Sequence, residues 1–151
     1  MIERLSLRDH SLIAGRAESI QRFAFALDYC RGCTVLDAGC GSGYGAHFLA
    51  ASGAASVLAG DVSSAAIAEA TATYRHENLR FEQLDIQQLD VPALRDRFDV
   101  IISFETLAHL PAPDDFLRGA KSALRAGGVL IVSTPNGELV KTDASGRPLA
   151  E

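Results

Sequence analysis

Short apolar runs alternate with segments of helical periodicity along most of this 151-residue chain. A strand, a helix and a further strand in succession are typical of a parallel sheet, because parallel neighbours need a long crossover connection. Such crossovers are right-handed, and they place helices on both faces of the sheet. We therefore predict an α/β fold in which a leading helix is followed by the order β-α-β-α-β-(α)-β-α-β.

The element boundaries follow from periodicity and from residues that start or stop helices. A leading helix is predicted over residues 12–31, with its periodic part ending at Cys30 and with Gly32 as a stop. The predicted strands cover residues 35–38, 56–59, 79–84, 98–103 and 129–133. The other predicted helices are residues 44–51, a segment capped by Ser63 or Ser64 that runs to Tyr74, a short helical turn after Pro92, and a helix that begins near Pro113 and is stopped by Gly127 and Gly128.

Length and composition restrict the domain organisation and the partners. A chain of this length fits one domain, for which we predict a core over residues 1–136 and a loop or mobile tail over residues 137–151. The net charge of −5 argues against a broad nucleic-acid surface. The chain lacks an apolar run of 18 residues, and residues 1–10 lack a signal-peptide core, so we expect no membrane partner and a cytoplasmic location.

The cysteines allow two interpretations. Cys30 and Cys33 form a C-x-x-C pair, and Cys40 makes the total odd. A structural zinc site needs four ligands and a redox pair normally sits at a helix start, whereas this pair lies at a predicted helix end. We favour packing thiols in a reducing compartment, and we predict no metal site.

Acidic side chains and glycines gather where the first three predicted strands end. Asp37 ends the first strand and leads into a glycine-rich bend, Asp61 ends the second and Asp85 follows the third. Ligands of such sheets bind beyond the carboxyl ends of the strands. The bend lets a ligand approach the backbone, Asp61 can accept both hydroxyls of a ribose, and Asp85 can accept a hydrogen bond from an adenine amino group. A positively charged nucleoside fits this combination.

These residues lie in segments that resemble the motifs of class I S-adenosylmethionine-dependent methyltransferases. The resembling segments are VLDAGCGSGYG (35–45), LAGDVS (58–63), LRFEQLDIQQL (79–89), FDVIISFETLAHL (98–110) and LRAGGVLIVSTPN (124–136). The resemblance implies a Rossmann-like doubly wound sheet with parallel strands in the order 3-2-1-4-5. It also implies an enzyme that moves a methyl group from S-adenosylmethionine, leaving S-adenosylhomocysteine, to a small-molecule or glycan-like acceptor through oxygen or nitrogen.

The resemblance assigns roles to individual residues. It implies cofactor contacts for Asp37, Gly39, Cys40, Gly41, Gly43, Asp61, Val62, Asp85, Ile86, Ser103 and Phe104. In this assignment the glycines approach the methionine part of the cofactor, and Asp37 shapes the bend and its charge. Asp61 holds the ribose, with Val62 packing on the adenine. Asp85 binds the adenine amino group beside Ile86. Ser103 and Phe104 line the channel for methyl transfer.

The reaction asks for a base only if the acceptor must lose a proton. The cofactor supplies the difficult step, and direct displacement needs an aligned nucleophile and the exclusion of water. His109 is the first candidate base, because histidine exchanges protons readily near neutral pH, and Glu105 is the second.

One part of the family pattern is missing. The family's sheet has seven strands and ends in an antiparallel hairpin, whereas five strands are predicted here. An apolar fifth strand is thereby left at an open edge. We expect a longer natural chain, a homodimer or another partner, or residues 137–151 themselves to cover that edge.

Other functions remain open at this point. Residues 41–46 also fit the G-x-G-x-x-A fingerprint of a nicotinamide-dependent dehydrogenase, although Asp37 would repel a pyrophosphate there. The chain also fits a non-catalytic or fragmentary cofactor-binding module. Another enzyme of adenosyl-sulfonium chemistry, such as an aminopropyl transferase, is a further alternative.

Overall fold

The computed structural model describes residues 10–136 and shows an α/β domain. Five parallel strands form one sheet in the order β3-β2-β1-β4-β5. The elements in chain order are α1 (His10–Cys30), β1 (Thr34–Ala38), α2 (Tyr44–Ala51), β2 (Ser56–Asp61), α3 (Ser64–Thr73), β3 (Leu79–Gln83), β4 (Phe98–Phe104), α4 (Pro113–Ala123) and β5 (Leu124–Ser133). Short 3-10 turns at Ile86–Gln88 and Leu107–His109 follow β3 and β4. The predicted strand order is confirmed.

Alternate residues of β1 face opposite layers, which fixes the helices on both sides of the sheet. Val35 packs in a cluster with α1 and α2, whereas Leu36 packs in a second cluster with α4 and the Ile86–Gln88 turn. Both side chains are fully buried. Burial of an aliphatic side chain of this kind contributes roughly 1.5–3 kcal/mol, so the apolar runs that identified the strands also provide the core.

Helix α2 has the predicted bounds, and two further helices begin with the predicted start residues. Ser63 caps α3, its hydroxyl accepting a hydrogen bond from the Ala66 amide at 3.2 Å. Pro113 occupies the first turn of α4 with Asp114 and Asp115, and Lys121 lies in the last turn, an order of charge that favours the helix dipole.

The prediction that Gly127 and Gly128 stop α4 is wrong. The helix ends at Ala123 and β5 begins at the next residue, so both glycines lie inside the strand. The register with β4 shifts there, and Gly127 adopts a φ of +79°. The glycines permit a bulge in the strand rather than a helix stop.

Three smaller predictions differ from the structure. Residues after Pro92 form a turn without a helix, and the helical turn lies earlier, at Ile86–Gln88, where Asp85 caps it. The leading helix begins two residues earlier than predicted, at His10. The third strand ends at Gln83. Residues 137–151, predicted as a loop or tail, lie outside the described residues.

The β5 strand lies at the edge of the sheet, where β4 is its strand neighbour within the described residues. Val129 and Val132 are among its exposed apolar side chains. Within residues 10–136, none of the helices combines the length and the apolar character that a bilayer crossing requires.

Candidate functional site: the carboxyl rim of the sheet

The glycine bend after β1 is held against the end of β2. The amides of Gly39 and Cys40 both donate to the Gly60 carbonyl, at 2.8 and 3.0 Å. Gly39 has a φ of +90°, and a Cβ at this position would lie 2.5 Å from Thr106 Oγ1. Only glycine fits both the backbone conformation and this close approach of two loops.

Asp61 points at the bend. Its Oδ2 accepts a hydrogen bond from the Gly41 amide at 2.9 Å, and its Oδ1 accepts one from the Ser63 amide at 2.9 Å. An ionised carboxylate has about four acceptor positions, so these two contacts leave room for two hydroxyl donors. The space beside Gly41 is open towards the described residues, since a Cβ built there meets no atom of residues 10–136 within 4 Å.

Asp37 is a buried acid at the same rim. Its residue is 2% exposed, and within the described chain its Oδ2 accepts no hydrogen bond. Burial, and after it the nearby Asp61 carboxylate, raises the pKa of Asp37 to about 7. A buried carboxyl with an unpartnered oxygen is costly by itself, and a cationic group placed beside it would offset that cost.

The predicted adenine contacts after β3 and β2 differ in how accessible their side chains are. The two carboxylate oxygens of Asp85 accept hydrogen bonds from the Gln87 amide, at 3.0 Å, and from the Gln88 side chain, at 2.9 Å. Ile86 packs in the core, which leaves its backbone rather than its side chain for a ligand. Val62, after β2, is 68% exposed and available to pack on a flat ring.

Ser103 and Phe104, at the end of β4, share one predicted role, the lining of the methyl-transfer channel, but their side chains lie in different surroundings. Ser103 is fully buried, and its hydroxyl donates to the Ala38 carbonyl at 2.8 Å. This side chain ties β4 to β1 and supports the start of the bend, and its place in the methyl-transfer channel stays a prediction. Phe104 is half-buried and packs edge-on against Phe23 of α1, with ring centroids 5.0 Å apart.

Cys30, at the end of α1, and Cys40, in the glycine bend, are both held as thiols. Burial, followed by the charges of Cys33 and Asp37, raises the pKa of Cys30 to about 12. Burial, followed by Asp37 and Asp61, raises the pKa of Cys40 well above its usual range. A protonated thiol is a poor nucleophile and a poor metal ligand, so these side chains act in packing.

The two candidate bases differ in their surroundings. His109 ends the Leu107–His109 turn and is exposed. Glu105 has a φ of +57°, and its Oε1 accepts a hydrogen bond from the Ser133 hydroxyl at 2.8 Å. Arg22 of α1 lies 3.7 Å from the same oxygen. The Glu105 carboxylate is therefore already engaged, whereas His109 remains accessible.

Sequence reasoning did not identify Arg22, Thr106 or Ser133. A cavity of about 360 Å³ lies between α1 and β5, with Arg22, Phe104 and Ser133 among its lining residues. The one sign of Arg22 in the sequence is its position as a charged residue beside the apolar face of α1. The contacts of Thr106 and Ser133 join distant segments and leave no periodic pattern.

Comparisons with known proteins show which family this chain belongs to. A family model for a methyltransferase domain matches residues 30–147. A probable S-adenosylmethionine-dependent methyltransferase of Mycolicibacterium smegmatis is 37% identical over 107 residues, covering 71% of this chain and 40% of that protein. A tRNA U34 carboxymethyltransferase of Alcanivorax borkumensis is 36% identical over 115 residues, covering 76% of this chain and 36% of that protein.

A solved structure shows the same fold. The crystal structure of an S-adenosylmethionine-dependent methyltransferase from Mesorhizobium loti has a TM-score of 0.71 at 26% identity, covering 81% of this chain and 56% of that one. The chain spans about 40% of the length of the first curated relative. The resemblance found in the sequence motifs is confirmed, and it replaces the dehydrogenase alternative. The chain belongs to the family of S-adenosylmethionine-dependent methyltransferases, whose cofactor is S-adenosylmethionine.

Proposed function

We propose that this protein transfers a methyl group from S-adenosylmethionine to a small-molecule or glycan-like acceptor by direct displacement. When bound, the cofactor supplies an electrophilic methyl group on a sulfonium. The observation that carries the proposal is the 2.9 Å hydrogen bond from the Gly41 amide to Asp61, near the buried Oδ2 of Asp37, which accepts no hydrogen bond from residues 10–136. Together they support an opening with acceptors for hydroxyls and a negative group for a cation.

The proposed roles follow the positions of the side chains along the rim. The free acceptor positions of Asp61 hold the ribose hydroxyls, and exposed Val62 packs on the adenine. Asp85, already fixed by two hydrogen bonds, presents its remaining acceptor positions to the adenine amino group. The bend from Gly39 to Gly43, with Cys40 and Gly41 between them, receives the methionine part next to Asp37.

The acceptor side of the site rests on fewer residues. His109 is the proposed base for an acceptor that must lose a proton, since it is exposed at the rim end of β4. The net charge of −5 favours a small or neutral acceptor over a polyanion. The name of the Alcanivorax relative says that it acts on tRNA, so binding of tRNA is the competing outcome. The three thiols suit a reducing, cytoplasmic setting.

Calorimetric titration of the chain with S-adenosylhomocysteine tests the cofactor part of this proposal. We expect binding that NAD does not compete with. Asp61→Asn removes a charge from a carboxylate with two backbone donors, and it should weaken binding by about tenfold or more. The matched control is Asp90→Asn, an exposed carboxylate paired with Arg95 away from the rim, which should bind as the wild type does. Equal affinity of the two variants would refute the assigned role.

A second candidate function is a cofactor-binding module without turnover. The apolar side chains exposed at the β5 edge favour it, because they suit a surface that a partner covers. Formation of S-adenosylhomocysteine with a screened set of hydroxyl and amine acceptors separates the two functions. Product with any acceptor supports the enzyme, and cofactor binding without product across the set supports the module.

A further inference from the structure

A three-residue contact joins α1, the residue after β4, and β5 beside the proposed cofactor site. Arg22 lies 3.7 Å from Glu105 Oε1, and the Ser133 hydroxyl donates to the same oxygen at 2.8 Å. The Glu105 amide donates in return to the Ser133 carbonyl at 3.0 Å. We call Arg22, Glu105 and Ser133 the clasp.

The backbone of the clasp is held in an unfavourable conformation. Glu105 adopts a φ of +57°, which is uncommon for a residue with a long side chain and carries a conformational cost. A glycine at this position would adopt the same conformation without that cost. The backbone conformation at position 105 favours glycine. The feature that distinguishes Glu105 from a glycine there is its carboxylate.

A continuous set of contacts leads from the clasp to the glycine bend. Phe23, next to Arg22 on α1, packs edge-on against Phe104 and against Tyr44, with centroids 5.0 and 5.5 Å away. A Cβ at Gly45 would lie 2.0 Å from the Phe23 ring, so this ring rests on the first turn of α2. Where α1 sits thus determines how the segment immediately after the bend is packed.

We propose that Glu105 is a positioning residue, which fixes α1 through Arg22 and Ser133 and thereby holds the glycine bend in the shape that binds the cofactor. The inference rests on the proposed function for its effect on cofactor affinity. It replaces the role of a base for Glu105. The carboxylate acts through Arg22 and the aromatic contacts, and it exchanges no proton with the acceptor.

Two variants of Glu105 separate the effect of its charge from the effect of its backbone conformation. Glu105→Gln keeps an acceptor for the Ser133 hydroxyl but removes the charge that attracts Arg22. Glu105→Gly keeps the backbone conformation and removes the whole side chain. The clasp is partly exposed, with side chains 28% and 36% accessible for Arg22 and Glu105. We therefore expect Glu105→Gln to weaken S-adenosylhomocysteine binding by about three- to fivefold, and Glu105→Gly by at least as much.

The melting temperature and a double mutant decide between positioning and general support. We expect the melting temperature of Glu105→Gln without cofactor to stay close to that of the wild type while the affinity falls. The double variant Arg22→Gln with Glu105→Gln should bind no more weakly than Arg22→Gln alone, because one contact is broken in both. Arg118→Gln, which breaks an ion pair with Asp115 on the surface of α4, is the control and should leave affinity unchanged.

Hydrogen exchange of α1 amides in the protein without cofactor tests the clasp independently of binding. Glu105→Gln should speed amide exchange in residues 17–30. If that variant does not fold, Ser133→Ala, which removes one hydroxyl of the clasp, should have the same effect and can be tested in its place. Additive losses of affinity, or unchanged exchange in α1, would overturn the inference. A loss of turnover with unchanged affinity would restore the role of a base. Failure of the wild type to bind S-adenosylhomocysteine would refute the proposed function, and the exchange experiment would still decide the clasp.

Discussion

Replacement of Asp37 by asparagine should remove a pH dependence from the stability of the fold. Asp37 is 2% exposed, and its pKa is raised from an ordinary 3.8 to about 7, chiefly by burial and then by Asp61. A carboxyl whose pKa is raised in the folded state favours folding while it is protonated. That contribution is complete below pH 3.8 and is lost as the pH rises through about 7.

The size of the effect follows from the two pKa values. A pKa raised from 3.8 to about 7, at about 1.4 kcal/mol for each pH unit, corresponds to about 4 kcal/mol of unfolding free energy. For a domain of this length, that difference changes the melting temperature by roughly 10 °C. An asparagine side chain at this position has no such titration. The stability of Asp37→Asn relative to the wild type should therefore rise steadily between about pH 4 and about pH 8.

The assay is thermal unfolding of both proteins without cofactor at intervals across that range. The difference between the two profiles cancels the titration of all carboxyl groups that do not interact with Asp37. If the variant loses hydrogen bonds at every pH, its whole stability profile shifts by a constant amount. The slope of the difference between the variant and the wild type against pH is then unchanged. Parallel profiles for the two proteins would show the raised pKa to be wrong, because Asp37 would then titrate as an ordinary exposed acid.

The same titration predicts how the wild type binds its cofactor. A cationic ligand beside Asp37 favours the ionised carboxylate, so affinity for S-adenosylmethionine should increase as the pH rises through about 7. Binding near that pH should release a proton, which calorimetry detects as a dependence on the buffer's ionisation enthalpy. An affinity that is independent of pH in the wild type would contradict a direct contact between Asp37 and the cation.

Three further substitutions test other parts of the site. Gly39→Ala places a Cβ 2.5 Å from Thr106 Oγ1 at a φ of +90°, and it should lower the free energy of unfolding by about 2–4 kcal/mol in chemical denaturation; a neutral effect would show that the bend is not tight. Ser103→Ala removes the 2.8 Å hydrogen bond to Ala38 and should cost about 1–2 kcal/mol by the same measurement, with cofactor affinity falling as the bend loses this support; a loss of turnover at unchanged affinity would instead return Ser103 to the methyl channel. His109→Gln should keep the melting temperature and cofactor affinity but lower kcat about 100-fold or more with a hydroxyl acceptor; wild-type turnover would exclude His109 as the base.

The sequence predicts the sheet well because burial and periodicity are local properties. A strand with both faces of its sheet covered is apolar throughout, so a short apolar run such as residues 98–103 indicates a strand. The residues that follow parallel strands then meet at one rim of the sheet. The predicted strand over residues 129–133 starts later than β5 does, because Gly127 and Gly128 commonly end helices, whereas here they form a bulge against β4. The choice between those outcomes depends on the neighbouring strand and is not encoded in the glycines.

The position of the candidate site was more predictable than its contacts. Asp61 meets the bend after β1 as predicted, because the fold itself brings the ends of parallel strands together. Other side-chain contacts were not predicted, and Ser103 shows why. It lies at the end of a strand as a rim residue should, yet the alternation of the strand turns its hydroxyl inward to Ala38. The clasp joins residues 22, 105 and 133, whose pairing depends on the packing of α1 across the sheet.

The cofactor site at the rim can be examined by a crystal structure of the chain with S-adenosylhomocysteine. We expect the ribose hydroxyls to lie within hydrogen-bonding distance of the Asp61 carboxylate, with the adenine towards Asp85 and the amino-acid end along the bend from Gly39 to Gly43. A ligand bound instead at the opposite ends of the strands, near Thr34 and Arg97, or a rim that stays empty at saturating ligand concentration, would contradict this assignment.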